Sequence, residues 1–223
     1  MPTQSAADGT LIHSLAERFP CGPRSAVMDA LEEEIRAMGV DEGQAASKIH
    51  MDHLREMASA LGEYLEQSAQ MGSCSDPNEN VQVEVPFDVP ISSVHIRGRI
   101  DRMEVEGQGV RIIDFKTGKK GNKTGAKKDP DHPQLALYQL AVEQLGYEVL
   151  GAELKYLGYG DVRTIAQDPL DPETRAAWIS QLDEIGQKMK GPSFIATPSD
   201  EACQYCEFAR SCPAREQGKR SVE

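Results

Sequence analysis

The feature that most constrains this 223-residue chain is a run that reads Gly98-Arg99-Ile100-Asp101 and, a little later, Asp114-Phe115-Lys116. Between the two lies Gly107-Gln108, a pair whose leading glycine suits a two-residue type II′ hairpin turn. Such a turn fixes the register, because residue pairs across the hairpin then sum to 215, as Gly107 and Gln108 do. Asp101 therefore stands opposite Asp114, with the two side chains leaving one face about 5 Å apart at Cβ. Lys116, two residues on, shares that face, while Ile113 and Phe115 point the other way toward a core. Like charges directly opposed destabilise a sheet. A divalent cation between them removes the penalty, with carboxylate oxygens reaching it at about 2.0–2.6 Å. Taken alone, the trio is equally compatible with polar side chains on a wet sheet face, so its neighbours decide.

Composition narrows the classes. The chain is long enough to bury a core as one domain with an appendage, and its apolar content is 39% against 27% charged. It shows neither an uninterrupted apolar run of about 18 residues nor a basic region followed by an apolar stretch at its start, which predicts a cytoplasmic protein with no membrane span. A formal charge of −12 argues against a general nucleic-acid binder, since phosphate affinity comes from lysines and arginines displacing counterions. Yet six lysines and no acid lie between Lys116 and Lys128, with glycines interleaved. A basic loop rooted at such a site is a candidate phosphate clamp, although most loops of this kind are simply solvated connections.

Apolar spacing predicts three helices: Gly9 to Phe19, Ser25 to Met38, and Asp41 to Ala69. Strands follow at Val81–Val85, His95–Val105 and Val110–Lys116. A helix from Gln134 to Leu145, a strand from Glu153 to Tyr159, and a helix to Met189 capped by Asp171 with Pro172 at its first position complete the pattern. The order predicts an α/β chain with a small mixed sheet flanked by helices.

Further residues complete a recognisable set. Gly9-Thr-Leu-Ile-His13 sits on the first helix, Glu84-Val-Pro86-Phe87 opens the first strand region, and Gln134-Leu-Ala-Leu-Tyr138 begins the helix after the lysine loop. With Gly98-Arg-Ile-Asp101 and Asp114-Phe-Lys116-Thr-Gly, this series resembles the RecB-like branch of the PD-(D/E)xK nuclease superfamily along nearly the whole chain. The resemblance implies a restriction-endonuclease-like core over residues 81–192, an N-terminal helical segment (1–80) and a cysteine-rich tail (193–223), all one nuclease domain. It makes Asp101, Asp114 and Lys116 catalytic, with Gln134 and Tyr138 positioning the scissile strand or the lysine. It makes His13, Asp101, Asp114 and the Phe115 carbonyl ligands for Mg²⁺ or Mn²⁺, with Glu84 a possible addition; the imidazole favours manganese. Each piece has an ordinary alternative: a helix-face histidine, an edge-strand charge at Glu84, a surface pair at Gln134 and Tyr138.

The tail reads Cys203-x2-Cys206-x5-Cys212-Pro213 behind a Phe194-x-Ala-x-Pro198 segment. In a cytosolic setting this spacing points to metal or redox use before disulfides. The resemblance implies a 4Fe-4S cluster, which needs four thiolates, and the family's first cysteine, upstream of the Gly-x-x-x-His helix, is missing. Either the chain is a piece of a longer protein, or Cys21 or Cys74 substitutes, or zinc or nothing takes the cluster's place. The resemblance further implies a DNA exonuclease domain acting on single strands supplied by a helicase domain or subunit, in recombination and repair. The competing readings are an inactive DNA-binding or structural module and a standalone nuclease of the CRISPR-adaptation type.

Overall fold

The hairpin at Gly107-Gln108 forms in the expected register, with Glu106 paired to Gly109 and Arg102 to Ile113. Gly107 has φ 65, and Gln108 is not among the residues of positive φ, as a type II′ turn requires. These observations come from a computed structural model whose described residues are 4–41, 43–72, 74, 80–118, 127–158, 162–192, 195–204 and 206–215.

The three N-terminal helices are α1 (Gln4–Arg18), α2 (Arg24–Met38) and α3 (Ala45–Gln70). Helix α3 starts at Ala45 and not at Asp41, because the Asp41 carboxylate accepts the Gly43 N–H at 2.9 Å and holds a turn there. Strands β1 (Val81–Ile91), β2 (Val94–Glu106) and β3 (Gly109–Lys116) are followed by the short β4 (Lys127–Lys128), helix α4 (Pro133–Gln144), β5 (Glu148–Tyr156) and β6 (Arg163–Gln167). Helices α5 (Pro172–Met189) and α6 (Asp200–Gln204) close the described chain. The sheet has six strands in the order β1-β2-β3-β5-β6-β4. Strands β3 and β5 are parallel, so the chain must cross over between them, and α4 lies on that crossover.

Several boundaries differ from expectation. Strand β1 runs through Pro86 and Pro90 to Ile91, because it lies at the sheet edge, where a residue without an N–H is tolerated. Strand β5 ends at Tyr156, and β6 and β4 were not anticipated. Both are short, and β4 pairs only with β6. Of the lysine loop, Lys119, Lys120 and Lys123 lie outside the described residues, as does Phe194. Lys127 and Lys128 belong to β4, and Lys128 is paired with Asp168.

The chain forms two compact units, residues 1–180 and 181–223. In the first, α1, α2 and α3 enclose an apolar cluster that takes in Ile12, Leu31, Leu54, Leu61, Ile113, Phe115 and Leu157. Alternation along β3 sends the neighbouring Asp114 to the other face, where it meets α4. There Leu135, Ala136 and Leu140 are buried. Asp171 caps α5 as expected, its Oδ1 accepting the N–H groups of Glu173 and Thr174, both at 2.9 Å. In the second unit, α6 and the turns after it carry the tail cysteines; Cys203 N donates to Ser199 O at 2.9 Å and Ala209 N to Cys206 O at 3.1 Å.

Two features had no sequence forecast. Arg102 is fully buried, donating through Nε to Glu104 Oε1 at 2.7 Å, through Nη2 to Ser68 Oγ at 3.1 Å, and through Nη1 to the Pro20 carbonyl. The same Glu104 oxygen accepts from Tyr64 at 2.8 Å and Ser68 at 2.6 Å. Burial pushes the Glu104 carboxyl up, but the guanidinium and the hydroxyl donors outweigh it and hold it below its ordinary value. The second feature corrects an expectation. Cys21 and Cys74 are joined to each other in a disulfide with Cα atoms 5.7 Å apart, so neither is a free thiolate.

Candidate active site

The ladder between β2 and β3 stops at Arg102 and Ile113. One step further, where Asp101 was expected to face Asp114 across paired strands, the Asp101 carboxylate accepts the Phe115 N–H at 2.7 Å. A side chain has replaced the backbone partner. On the other flank of β2, Val83 pairs with Arg102 and Val85 with Ile100, but Glu84 between them has φ 51. That left-handed conformation is uncommon for a residue with a Cβ and marks a locally constrained position.

The consequence is convergence. His13, carried by α1, places Nδ1 3.5 Å from Asp101 Oδ2. One donor atom from each of His13, Glu84 and Asp101 lies within 4.8 Å of the others, and all three residues are half-buried. Asp101 beside the ring raises the His13 pKa above its ordinary value against the opposing effect of burial, with Asp114 and Glu84 adding to the rise. Arg99 sits against this group, its Nη1 3.3 Å from Glu84 Oε2.

Asp114 is organised differently. Its Oδ1 accepts from Gln134 Nε2 at 2.7 Å and lies 3.1 Å from the Tyr138 hydroxyl, while Gln134 Nε2 also donates to that hydroxyl at 2.9 Å. The Tyr138 oxygen is in addition 3.2 Å from the Arg99 carbonyl. Its single proton serves either Asp114 or Arg99. Burial, then the negative charge of Asp114, pushes the Tyr138 pKa well up, so the phenol stays a neutral donor. Asp114 Oδ2 is buried and lacks a hydrogen bond of good geometry among the described residues; its close cation is Lys116 Nζ at 2.7 Å. Burial first, and Asp101 second, raise the Asp114 pKa, with Lys116 and Tyr138 pulling against them.

The sequence-predicted residues thus fall into two adjoining sets. His13, Asp101 and the possible Glu84 form one, and Asp114, Lys116, Gln134 and Tyr138 form the other. Asp114 lies outside the three-residue donor group among the described residues, and Phe115 contributes its amide to Asp101. One imidazole and two carboxylates, beside a buried carboxylate oxygen that faces Lys116, fit a hard divalent cation such as Mg²⁺ or Mn²⁺. The tail carries part of the thiolate set that its implied cluster takes. Cys203, Cys206 and Cys212 are free thiols, three where four are needed, and the disulfide holds the other two cysteines. Sequence reasoning gave Arg99 no role; its signal was the alternation His95-x-Arg97-x-Arg99.

The profile of the PD-(D/E)XK nuclease superfamily matches residues 2–213. The Gene 69 protein of Mycobacterium phage L5 is 26% identical over 145 residues, covering 63% of this chain and 46% of the phage protein. One subunit of the ATP-dependent helicase/deoxyribonuclease of Leuconostoc citreum (strain KM20) is 31% identical over 137 residues, covering 50% of this chain and 12% of that protein. The chain therefore spans less than half the length of these curated relatives. The crystal structure of SSO0001 aligns over 84% of this chain and 85% of its own, with 16% identity and a TM-score of 0.37.

Proposed function

We propose that this chain, which belongs to the PD-(D/E)XK nuclease superfamily, is a metal-dependent nuclease domain that hydrolyses phosphodiester bonds in DNA. The observation that carries the reading is the meeting of His13, Glu84 and Asp101 within 4.8 Å of one another, beside an Asp114–Lys116 pair at 2.7 Å. A divalent cation held by His13, Glu84 and Asp101 would supply Lewis-acid polarisation of the phosphoryl oxygens. The remaining work belongs to the chain. Lys116, one-third exposed beside Asp114, either orients the attacking water or stabilises negative charge developing on the phosphoryl group. Asp114 holds that lysine in place, and Gln134 and Tyr138 hold Asp114.

The relative from Leuconostoc citreum carries a helicase/deoxyribonuclease name, and the matched segment is a small part of it. We infer that the present chain is an exonuclease, degrading single strands delivered by a helicase domain or subunit during recombination and repair. The test is a cleavage assay on single- and double-stranded DNA labelled at either end, with Mg²⁺, Mn²⁺ or EDTA. Metal-dependent shortening from one end is expected. Asp114→Ala and Lys116→Ala should each lose about 10²-fold or more in rate while keeping the wild-type circular dichroism. Undiminished cleavage by either variant overturns the assignment.

A further inference from the structure

Strand β2 pairs with β3 only from Arg102 to Glu106. Its earlier half pairs with β1 alone, from Val85↔Ile100 to Ile91↔Val94, as a two-stranded ribbon. One side of this ribbon is apolar: Phe87, Val89, Ile91 and Ile100 are buried. The other carries His95, Arg97 and Arg99 at alternate positions of β2, with side chains 67%, 82% and 62% exposed. The residues opposite them on β1 are Pro90, Asp88 and Pro86. Two carboxylates thus meet this basic row: Glu84 lies 3.3 Å from Arg99, and Asp88 stands opposite Arg97. Asp88 lies 3.1 Å from His95 and 3.8 Å from Arg97, and exposed pairs of this kind are weak and screened by salt.

We propose that this exposed face is a track for one nucleic-acid strand, with Arg99 and Arg97 holding phosphates next to the scissile one and His95 extending the row. The proposal rests on the nuclease reading above and names how its substrate is held. Three observations carry it. Alternate residues of a strand are about 6.8 Å apart, a spacing comparable to that of successive phosphates along an extended single strand. The row begins at the site, since Arg99 contacts Glu84 of the donor group at 3.3 Å. And the ribbon is keyed to the site through its apolar side: the Phe87 ring packs against Tyr138 with centroids 6.0 Å apart, while the Tyr138 hydroxyl lies 3.2 Å from the Arg99 carbonyl. In a chain of formal charge −12, a row of two arginines and a histidine leading into the site lowers the repulsion a polyanion meets there.

The experiment is equilibrium binding of a fluorescein-labelled single-stranded DNA oligonucleotide by anisotropy, in EDTA, across a salt series. Arg97→Gln and Arg99→Gln should each weaken binding about 3- to 10-fold and reduce the salt slope by about 0.7, one phosphate contact on a single strand. Asp88→Asn should tighten binding about 2-fold, a gain that misfolding cannot mimic. Lys48→Gln, an exposed cation on α3, should leave affinity unchanged. Equal losses with single-stranded RNA support a row that reads phosphate alone, whereas losses confined to duplex DNA overturn the single-strand track. If the wild-type chain binds and cleaves DNA while both arginine variants keep its affinity and salt slope, the track is wrong and the nuclease reading stands. If the wild-type chain neither binds nor cleaves, both fall together.

Discussion

Replacing Arg102 by methionine tests how the helical layer is fastened to the sheet. The guanidinium is fully buried and donates to Glu104, Ser68 and the Pro20 carbonyl. Its loss leaves the Glu104 carboxylate, 4% exposed, with its charge uncompensated by that guanidinium. Breaking a buried ion pair from one side costs about 3–5 kcal/mol. At about 2–4 °C per kcal/mol for a chain of this size, the melting temperature should fall by roughly 6–20 °C. Arg102→Met/Glu104→Gln keeps an acceptor for Tyr64 and Ser68 but removes the charge, and should recover about 2 kcal/mol or more of the loss. The pH dependence should invert as well. In the wild type the Glu104 pKa is lowered on folding, so its contribution is present above the unfolded carboxyl value and is lost as pH falls through the folded one. In Arg102→Met burial acts without the guanidinium and raises that pKa, so the deficit should shrink on acidification. Urea titrations by circular dichroism at pH 8, at pH 5 and at a pH below the ordinary carboxyl value measure both effects. A loss under about 1 kcal/mol, or a double variant no more stable than the single, refutes the reasoning.

Gly98→Ala should destabilise by about 1–3 kcal/mol, because a Cβ there would stand 2.6 Å from Phe87 Cζ; it should also slow cleavage by displacing the ring that packs on Tyr138, as thermal melts and steady-state rates would report. Tyr138→Phe removes one hydrogen bond from a site that Gln134 still serves, so cleavage should drop by about 10-fold, near the net worth of a hydrogen bond to a charged group, and far less than for Asp114→Ala. Reduction of Cys21–Cys74, which closes a sequence separation of 53, should cost up to about 4 kcal/mol in the chain-entropy account; denaturation with and without reductant, set beside Cys21→Ser/Cys74→Ser, measures it.

How much was legible in the sequence varied with the physics involved. The β2–β3 register followed from one turn, because a two-residue loop leaves no freedom in pairing. The α5 cap followed from Asp171 and Pro172, whose local chemistry needs no partner elsewhere. Strand β1 was cut short at Val85 because a proline argues against a strand unless its edge is free, and edge position is a property of the sheet. The Cys21–Cys74 pairing was hidden because spacing does not report which loops meet in space. Glu84 could be suspected but not placed, since its contact with the site depends on a backbone angle of φ 51 that no residue type announces. Arg102 carried no expectation from the sequence, and only the packing of α3 over β2 shows it buried.

The bond from Phe115 N–H to the Asp101 carboxylate, 2.7 Å long, makes Asp101 an architectural residue as well as a proposed metal ligand. A variant of this chain without the proposed nuclease activity would still need an acceptor there to end the β2–β3 ladder, and an aspartate at this position is therefore a poor witness to activity. An alanine at the same place would confuse a broken strand end with a lost ligand. Lys116 is tied by its side chain to the buried Asp114 oxygen, and a chain that kept Asp101 while losing the lysine would keep the strand end and lose the group proposed to act on the phosphoryl oxygens.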